Sequence, residues 1–245
     1  MTSARFQEID WRATPIGEIS LRRRVDPVVE REVFEVKLDD EYLMSSLFTV
    51  AEEELARLGL ARTLCERLDV LVGGLGLGYT AVAALEDDRV RSLVVVEALD
   101  AVIDWHVREL LPVSRALVGD PRTTLAHSDF FELAAAGGLP AVSVSRERYD
   151  AVLLDIDHTP DNVLSATHAG FYTVEGLTRL REQITPGGVF ALWSDDPPES
   201  RFLERLEVVF DDVVPHVVDF PNPLTGGTSS NTVYVGVRGD AAPLE

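Results

Sequence analysis

Cysteine is almost absent from this sequence of 245 residues. The single one, Cys65, excludes an internal disulfide framework, because a disulfide needs two cysteines. It also excludes a zinc site built from several cysteines. Cys65 lies between Leu64 and Glu66 in a predicted helix, where we expect a small buried side chain rather than a nucleophile.

Basic residues are also scarce: 22 Lys and Arg stand against 42 Asp and Glu, which gives a formal net charge of -20. Nucleic-acid binding needs a basic footprint for the phosphates, so we expect no nucleic-acid partner. A negative field would instead attract cations such as amines. The alternative is that the acidic surface only keeps the protein soluble.

Long apolar runs are missing as well. No stretch of the sequence approaches the ~20 apolar residues of a membrane-spanning helix, so we expect no membrane partner. The N-terminus lacks the basic and then apolar segments of a signal peptide. We therefore expect a cytoplasmic protein, long enough for one α/β domain with a small extension.

The most informative stretch runs from residue 68 to residue 97. Residues 69–72 are a short apolar run typical of a strand buried on both faces. Glycines follow at once, and helix-forming residues resume at Ala81. Such a turn lets a ligand approach the backbone and the N–H groups of a helix start. The next apolar run ends in Glu97, about twenty residues past the glycines, where a carboxylate can accept hydrogen bonds from ribose hydroxyls.

The glycine spacing separates two nucleoside-binding designs. The dinucleotide fingerprint is G-x-G-x-x-G, but this chain has Gly74, Gly76 and Gly78, with Tyr79 in place of the third fingerprint glycine. The spacing G-x-G-x-G is similar to the S-adenosylmethionine-binding loop of class I methyltransferase folds. The alternative is a purely structural turn. The flanking strand and helix, with Glu97 in register, favour nucleoside binding.

Strands alternate with helices along the rest of the chain. This alternation predicts an α/β fold with a mostly parallel sheet that is covered on both faces. The resemblance of the glycine loop implies that this fold is the Rossmann-like class I methyltransferase fold, with a seven-stranded sheet. The last two strands, residues 213–219 and 232–237, leave no room for a crossover helix, so the final strand should be antiparallel. We expect residues 1–45 to form a small N-terminal β hairpin or meander and residues 46–245 to form the Rossmann-like catalytic domain.

Two helices have predicted ends. The first runs from Leu47 to about Leu58, is capped by Ser45 or Ser46 and is ended by Gly59. Its glutamates at residues 52–54 stand near the helix start, where the dipole favours them, and indicate a solvated face. The second covers residues 98–111 and is stopped by a proline.

Ligands in an open parallel sheet gather at the carboxyl ends of the strands. One such end carries Asp129 and Phe130, which could hydrogen-bond the exocyclic amine of adenine and cover its ring. Asp129 could also be the N-cap of the helix that begins at Phe130, and the two roles are compatible.

A second strand end carries Asp155, followed by Asp157 and His158. Carboxylates crowded in one pocket raise each other's pKa, which would suit one of them to take a proton from an ammonium before its nitrogen attacks. Held ionised, they would bind the cation directly, at about 4 kcal/mol for a pair 4 Å apart at an effective dielectric of 20.

Two other roles are open for Asp155, Asp157 and His158. They could simply cap the turn that follows the strand. They could also bind a metal, but no second histidine lies nearby in the sequence, so we expect no metal. Core or surface roles are expected for three further histidines: His106, His127 and His168.

The order of the motifs VGGLGLG, VVVE, HSDFFE, YDAVLLDIDHTP and TPGGVF resembles that of the spermidine synthase family of polyamine aminopropyltransferases, over most of residues 30–237. That family has a small N-terminal β domain before a class I methyltransferase fold and often forms dimers. It transfers an aminopropyl group from decarboxylated S-adenosylmethionine to an amine.

The resemblance implies roles for single residues. Glu97 would bind the ribose, Asp129 would contact the adenine, and Asp155 would be the base at the attacking nitrogen. Pro221 would belong to a loop near the amine. The resemblance also implies S-adenosylmethionine or its decarboxylated form as co-substrate, a small-molecule amine as acceptor, and a homodimer.

Three positions depart from the family pattern. The family's D-x-x-D pair would match Asp155 and His158, so the second carboxylate is missing or has moved to Asp157. An Asp of the glycine loop that helps to hold the aminopropyl arm is Gly76 here. A tyrosine and glutamine pair before the first core strand is Val and Ala at residues 50–51.

Three functions are therefore open. The leading one is a transferase that aminopropylates, or otherwise alkylates, a nitrogen of a small amine. The second is a methyltransferase that uses intact S-adenosylmethionine, which the absence of a carboxylate at Gly76 favours. The third is a non-catalytic nucleoside-binding module that kept only the fold. Asp155 and Asp157 speak against the third.

Overall fold

The computed structural model describes residues 6–141, 148–156 and 158–239. The chain opens with four strands, β1 (Phe6–Thr14), β2 (Gly17–Val25), β3 (Glu32–Leu38) and β4 (Glu41–Ser45). They form one antiparallel sheet in the order β1-β2-β3-β4. The small N-terminal β region predicted from the alternating segments is confirmed, while its separation as a domain at residue 45 stays a prediction.

Strands and helices alternate after this small sheet. The strands are β5 (Leu68–Gly73), β6 (Val90–Glu97), β7 (Thr123–His127), β8 (Tyr149–Leu154), β9 (Ile184–Ser194), β10 (Asp211–Asn222) and β11 (Gly227–Val237). The helices are α1 (Val50–Ala61), α2 (Tyr79–Leu85), α3 (Asp100–Val107), α4 (Ser114–Gly119), α5 (Phe130–Ala136), α6 (Val174–Glu182) and α7 (Ser200–Val209). Across the described ranges, none of the helices has the length and apolar character that a membrane crossing requires.

The seven later strands form one sheet in the order β10-β11-β9-β8-β5-β6-β7. Strands β5 to β9 pair in parallel, whereas β11 is antiparallel to both of its neighbours. The predicted α/β fold, with a mostly parallel seven-stranded sheet and an antiparallel final strand, is confirmed. This order brings the carboxyl ends of β8, β5 and β6 side by side, which is where ligands of such sheets bind.

The small sheet packs onto the larger unit. Ile19, Leu21 and Val36 of the small sheet are buried in the same apolar core as residues of α1, α2 and α3. A second core fills the opposite face of the large sheet, under α5, α6 and α7. The small sheet therefore lies on the side of α1 and α2, close to the glycine turn between β5 and α2.

Helix α1 differs from its prediction at both ends. Its N-cap is Thr49, so the predicted Ser45 or Ser46 cap is wrong. Ser45 closes β4, and Ser46 Oγ accepts a hydrogen bond from the Phe34 N–H at 2.9 Å. The predicted stop at Gly59 is also wrong, because the helix continues to Ala61.

Packing explains the glycine within α1. A Cβ on Gly59 would lie 2.8 Å from Leu153 Cδ2 and 3.1 Å from the Ala191 Cβ. These two side chains belong to β8 and β9, so Gly59 lets the helix backbone approach the centre of the sheet. The residue is needed for close packing and does not end the helix.

Two later segments also differ from their predictions. The helix expected over residues 98–111 ends at Val107, because Glu109 adopts a positive φ of 54° that a helix does not allow. Pro221 lies within β10, opposite Thr228, and not in a loop. Strand β10 is at the edge of the sheet, where a residue without an N–H is tolerated.

Candidate functional site

The glycine loop connects β5 to α2 at the carboxyl edge of the large sheet. Gly74, Gly76 and Gly78 have positive φ angles of 93°, 47° and 90°. A Cβ on Gly74 would lie 2.1 Å from the carbonyl oxygen of Asp155, so glycine is required where the loop passes the end of β8. A Cβ on Gly76 would lie 3.1 Å from Met44 Sδ. Strand β4 of the small sheet therefore reaches this loop.

Glu97 ends β6 beside the glycine loop. Its Oε2 accepts a hydrogen bond from the Leu75 N–H at 3.0 Å, and its Oε1 accepts one from the Leu99 N–H at 2.8 Å. Burial raises the pKa of Glu97, and the surrounding backbone amides oppose that rise. The carboxylate thus holds the loop in place, and each oxygen still has lone-pair capacity for a further donor.

Asp129 and Phe130 follow β7 at the same edge. Asp129 Oδ1 accepts hydrogen bonds from the N–H groups of Phe131 at 2.8 Å and Glu132 at 3.1 Å, which confirms it as the N-cap of α5. Phe130 is only 2% exposed, and its ring lies 5.5 Å from those of Phe131 and Phe171. It presents no open ring face, so a contact of Asp129 or Phe130 with adenine stays a prediction.

Asp155 follows β8 and faces the start of α2. Thr80 Oγ1 donates a hydrogen bond to Asp155 Oδ2 at 2.6 Å. Burial raises the pKa of Asp155 to about 6, although this hydrogen bond opposes the rise. The same hydroxyl oxygen lies 3.1 Å from the carbonyl oxygen of Glu52, so α1 also borders the site.

Glu52 is a residue of this site that the sequence interpretation missed. The expected solvated face holds for Glu53 and Glu54, which pair with Arg57 at 3.1 Å, but it is wrong for Glu52. Burial raises the pKa of Glu52 to about 8, and the charge of Asp155 adds to the rise. A carboxyl group near another carboxylate keeps its proton to a higher pH. Glu52 and Asp155 therefore form an acidic pair.

Asp195 adds a third carboxylate from the end of β9. Its charge contributes to the raised pKa of Glu52. Its Oδ1 accepts a hydrogen bond from Asn231 Nδ2 at 2.7 Å. In the described ranges, no Lys or Arg forms an ion pair with Glu52, Asp155 or Asp195. We call these three residues the carboxylate cluster; its uncompensated negative charge suits it to a cation.

The loop after Asp155 carries the other two predicted catalytic residues. Asp157 lies outside the described residues. His158 is half-buried, and its carbonyl oxygen accepts a hydrogen bond from the Asp195 N–H at 2.8 Å, which ties the loops after β8 and β9 together. In the part of the chain that the structure describes, no group of three or more His, Cys, Asp and Glu side chains is arranged to hold a metal ion.

A surface cavity of about 410 Å³ lies further along the same loop. Its walls include Pro160, Asp161, Tyr172 and Arg205. None of the carboxylate cluster lines it. We therefore take the cluster and the glycine loop, and not this cavity, as the candidate functional site.

Sequence comparison points to one group of enzymes. A polyamine aminopropyltransferase of Saccharolobus islandicus is 27% identical over 129 residues, and one of Saccharolobus solfataricus is 28% identical over 128 residues. These alignments cover 53% and 52% of this chain but only 39% of each relative. No family model matches the chain.

Structural comparison points the same way. Spermidine synthase from Thermotoga maritima has a TM-score of 0.71 at 17% identity, over 96% of this chain and 74% of that one. A spermidine synthase in complex with the transition state analogue AdoDATO has a TM-score of 0.70 at 17% identity, over 96% and 73%. Human methyltransferase-like protein 13 in complex with SAH has a TM-score of 0.54 at 18% identity, over 80% and 83%.

This chain is similar to polyamine aminopropyltransferases in sequence and has the fold of spermidine synthase. The resemblance seen in the order of the motifs is thereby confirmed. At these identities the solved structures establish the fold alone.

One part of the site that the sequence interpretation missed was open to a closer reading of the sequence. Glu52 stands four residues after Phe48 and three before Leu55, which is the spacing of the face that α1 buries. That spacing was the signal for a glutamate turned inward. By contrast, the contact of His106 Nε2 with the Gly76 carbonyl oxygen, at 3.0 Å, joins residues 30 apart, and no local pattern predicts it.

Proposed function

We propose that this chain is a transferase that uses decarboxylated S-adenosylmethionine, or S-adenosylmethionine itself, to alkylate a nitrogen of a small amine. Aminopropyl transfer is the leading reaction. The observation that carries the proposal is the carboxylate cluster, which stands next to a glycine loop of the nucleoside-binding type. The similarity to polyamine aminopropyltransferases supports the same reaction.

The glycine loop and Glu97 would hold the nucleoside. Each oxygen of Glu97 accepts one backbone amide and can accept one ribose hydroxyl as well. Asp129 uses Oδ1 for both amides of α5, which leaves Oδ2 for the exocyclic amine of adenine. Gly74, Gly76 and Gly78 keep the loop free of side chains, so that the sulfonium can lie close to the backbone.

The carboxylate cluster would bind the acceptor as an ammonium and then take its proton. The freed nitrogen attacks the carbon next to the sulfonium sulfur, so that a C–N bond forms as the C–S bond breaks. The electron pair of the broken bond stays on sulfur, which becomes a neutral thioether. Such a displacement mainly requires that the two reactants are aligned and that the attacking nitrogen is neutral.

The raised pKa values suit this proton transfer. A pKa of about 6 for Asp155, in place of 3.8, makes proton transfer from an ammonium about 3 kcal/mol less uphill. Glu52, with a pKa of about 8, keeps its proton for most of the time near neutral pH. Asp155 is therefore the available proton acceptor, and Glu52 would add charge to bind the cation only after losing its own proton.

Asp157 and His158 would border the far end of the acceptor. They follow Asp155 on a loop that is tied to Asp195 through the His158 carbonyl oxygen. A simple diamine has a second ammonium group, which a neutral imidazole at 158 would bind less well than a carboxylate does. A diamine is therefore a suitable acceptor only if Asp157 supplies the negative charge.

Methyl transfer from intact S-adenosylmethionine is the second candidate. The observation that favours it is the lack of a carboxylate on the glycine loop at Gly76, where Met44 lies over the backbone instead. A loop without that carboxylate has less reason to prefer a decarboxylated donor. The fold shared with a methyltransferase that was crystallised with SAH is in line with this alternative.

Calorimetric titration with each sulfonium nucleoside tests the proposal. We expect tight binding of one donor, followed by turnover with amines and release of the corresponding thioether. Tight binding of intact S-adenosylmethionine alone would favour methyl transfer. Binding of neither donor would contradict both enzymatic proposals and leave a module that kept only the fold.

A further inference from the structure

His106 has no role in the reaction proposed above, yet it lies fully buried on α3 against the glycine loop. Its Nε2 lies 3.0 Å from the Gly76 carbonyl oxygen, and its Nδ1 lies 3.1 Å from Ser114 Oγ. The Leu111 N–H donates a hydrogen bond to the same Ser114 Oγ at 3.3 Å. The imidazole therefore joins α3, the start of α4 and the glycine loop.

These partners fix the protons of the imidazole. A carbonyl oxygen can only accept, so Nε2 of His106 carries the proton that is donated to Gly76. Nδ1 of the neutral ring then accepts, and the Ser114 hydroxyl donates to it. Burial lowers the pKa of His106, which keeps the ring neutral near pH 7.

The hydrogen bond also sets the direction of the peptide group between Gly76 and Leu77. The described residues contain no cis peptide bond, so the Leu77 N–H points opposite to the Gly76 carbonyl and away from α3. Leu77 is 6% exposed, and within the described residues its N–H has no hydrogen-bond partner. Buried amides without a partner are rare, so this donor is suited to a ligand.

We propose that His106 is a positioning residue for the nucleoside: it holds the Gly76 carbonyl against α3 and so turns the Leu77 N–H toward the ligand. The inference rests on the proposed function, because it requires a nucleoside at the loop. Gly78 makes the arrangement sterically feasible. A Cβ there would lie 2.7 Å from His106 Cε1 and would push the imidazole away.

Binding of 5′-methylthioadenosine tests this role, because that compound carries the adenosine and sulfur that both donors share. We would titrate it into the wild type, His106→Leu, His106→Gln and Ser114→Ala. His106→Leu should weaken binding about 10-fold, because the Gly76 carbonyl loses its donor. His106→Gln should bind nearly as the wild type does, since its amide N–H can reach the same oxygen.

Ser114→Ala should weaken binding about 2- to 3-fold, because the ring keeps its hydrogen bond to Gly76 but loses the Ser114 hydroxyl that helps to orient it. With the active donor, His106→Leu should raise the donor KM and leave kcat and the amine KM nearly unchanged. Partial unfolding would instead lower the amount of active enzyme, and so the apparent kcat, without raising the KM of the donor alone. The thermal unfolding temperature of each variant is measured as the control for folding.

Two results would overturn the role of His106. One is wild-type affinity in a folded His106→Leu protein, and the other is binding by His106→Gln that is as weak as that of His106→Leu. If His106→Leu does not fold, His106→Asn replaces it, because its shorter amide does not reach Gly76. Failure of the wild type to bind the probe would overturn the nucleoside site itself, so the two failures are distinguishable.

Discussion

The two halves of the candidate site are built in opposite ways. The half that we propose for the nucleoside comes mainly from one continuous stretch, residues 68–97, and its carboxylate, Glu97, accepts two hydrogen bonds from backbone amides. The half that we propose for the acceptor comes from α1 and from the ends of β8 and β9. Of its acidic pair, only Asp155 accepts a hydrogen bond from Thr80 Oγ1, and neither carboxylate has a basic partner among the described residues.

The first half is therefore held in place by its own hydrogen bonds, whereas the second half contains carboxylates that repel each other. Glu97 helps to fold the loop that it borders, so we expect it to contribute to stability as well as to the proposed nucleoside binding. Glu52 and Asp155 instead raise the free energy of the folded protein when both are ionised, because the two carboxylates are half-buried and repel each other. A bound ammonium would relieve that repulsion, which is how a site can favour a cation.

The largest effect on the nucleoside half is expected from Gly76→Val. The backbone at 76 has a φ of 47°, which a β-branched residue strongly disfavours, and its Cβ would lie 3.1 Å from Met44 Sδ. We expect a folded protein whose affinity for the nucleoside is at least about 100-fold lower, measured by calorimetry.

Gly137→Val is the matched control for that change. Gly137 also has a positive φ, of 66°, but a Cβ there would meet nothing within 4 Å. It should therefore lose stability through the same backbone strain and still bind the nucleoside normally. Normal binding by Gly76→Val would mean that the loop is only a turn.

A smaller effect is expected from Glu97→Gln. The change replaces one carboxylate oxygen by an NH2 group, which can accept a hydrogen bond neither from the backbone amide nor from a ribose hydroxyl. Nucleoside binding should weaken by about 1.5–3 kcal/mol, the scale of a hydrogen bond to a charged group. An unchanged dissociation constant in the folded variant would remove Glu97 from the ribose site.

The smallest effect is expected on stability, from Glu52→Gln. Burial and Asp155 raise the pKa of Glu52 from 4.5 to about 8, so the folded protein keeps a proton that the unfolded chain releases. The contribution of Glu52 to the free energy of unfolding should therefore be fully present below about pH 4.5 and be lost as the pH rises to about 8. Glu52→Gln should remove much of that loss.

At pH 8.5 we expect Glu52→Gln to be more stable than the wild type by about 1–2 kcal/mol, because solvent screens the partly exposed carboxyl and reduces the full linkage effect. Near pH 5 the two should be alike. Glu53→Gln is the control, since Glu53 lies on the same helix but pairs with Arg57. The free energy of unfolding of each protein would be measured by denaturant titration between pH 5 and pH 8.5. If it changes with pH equally in the wild type and in Glu52→Gln, the acidic pair is contradicted.

The same contrast explains what could be predicted from the sequence. The strand, glycine turn and helix of the nucleoside half are signalled by neighbouring residues, and so is the N-cap role of Asp129. The position of Glu52 depends on which face of α1 packs onto the sheet, and that face is set partly by the close approach at Gly59. A run of three glutamates near a helix start conceals the one that points inward.

Longer-range contacts were beyond sequence patterns altogether. The hydrogen bond between His106 and Gly76 forms only after α3 has docked beside the loop. Met44 comes from the small sheet, and nothing in its own strand indicates that it lies over Gly76. Elements with strong periodicity were predicted well, whereas the ends of α1 and α3 depended on tertiary packing and on single backbone angles.

The central claim is that nucleoside binding and amine chemistry reside in separate sets of residues. Asp155→Asn tests it most directly, because the change keeps the size of the side chain and removes its charge and basicity. Its control is Asp161→Asn, on the same loop, where the carboxylate lies on the surface 3.9 Å from Arg205 Nη1. Single-turnover rates at saturating donor would be measured beside the dissociation constant of the nucleoside.

For Asp155→Asn we predict a nucleoside dissociation constant close to that of the wild type and a rate at least ~10²-fold lower, whereas Asp161→Asn should change neither. Full activity of Asp155→Asn with any amine that the wild type uses would contradict the account.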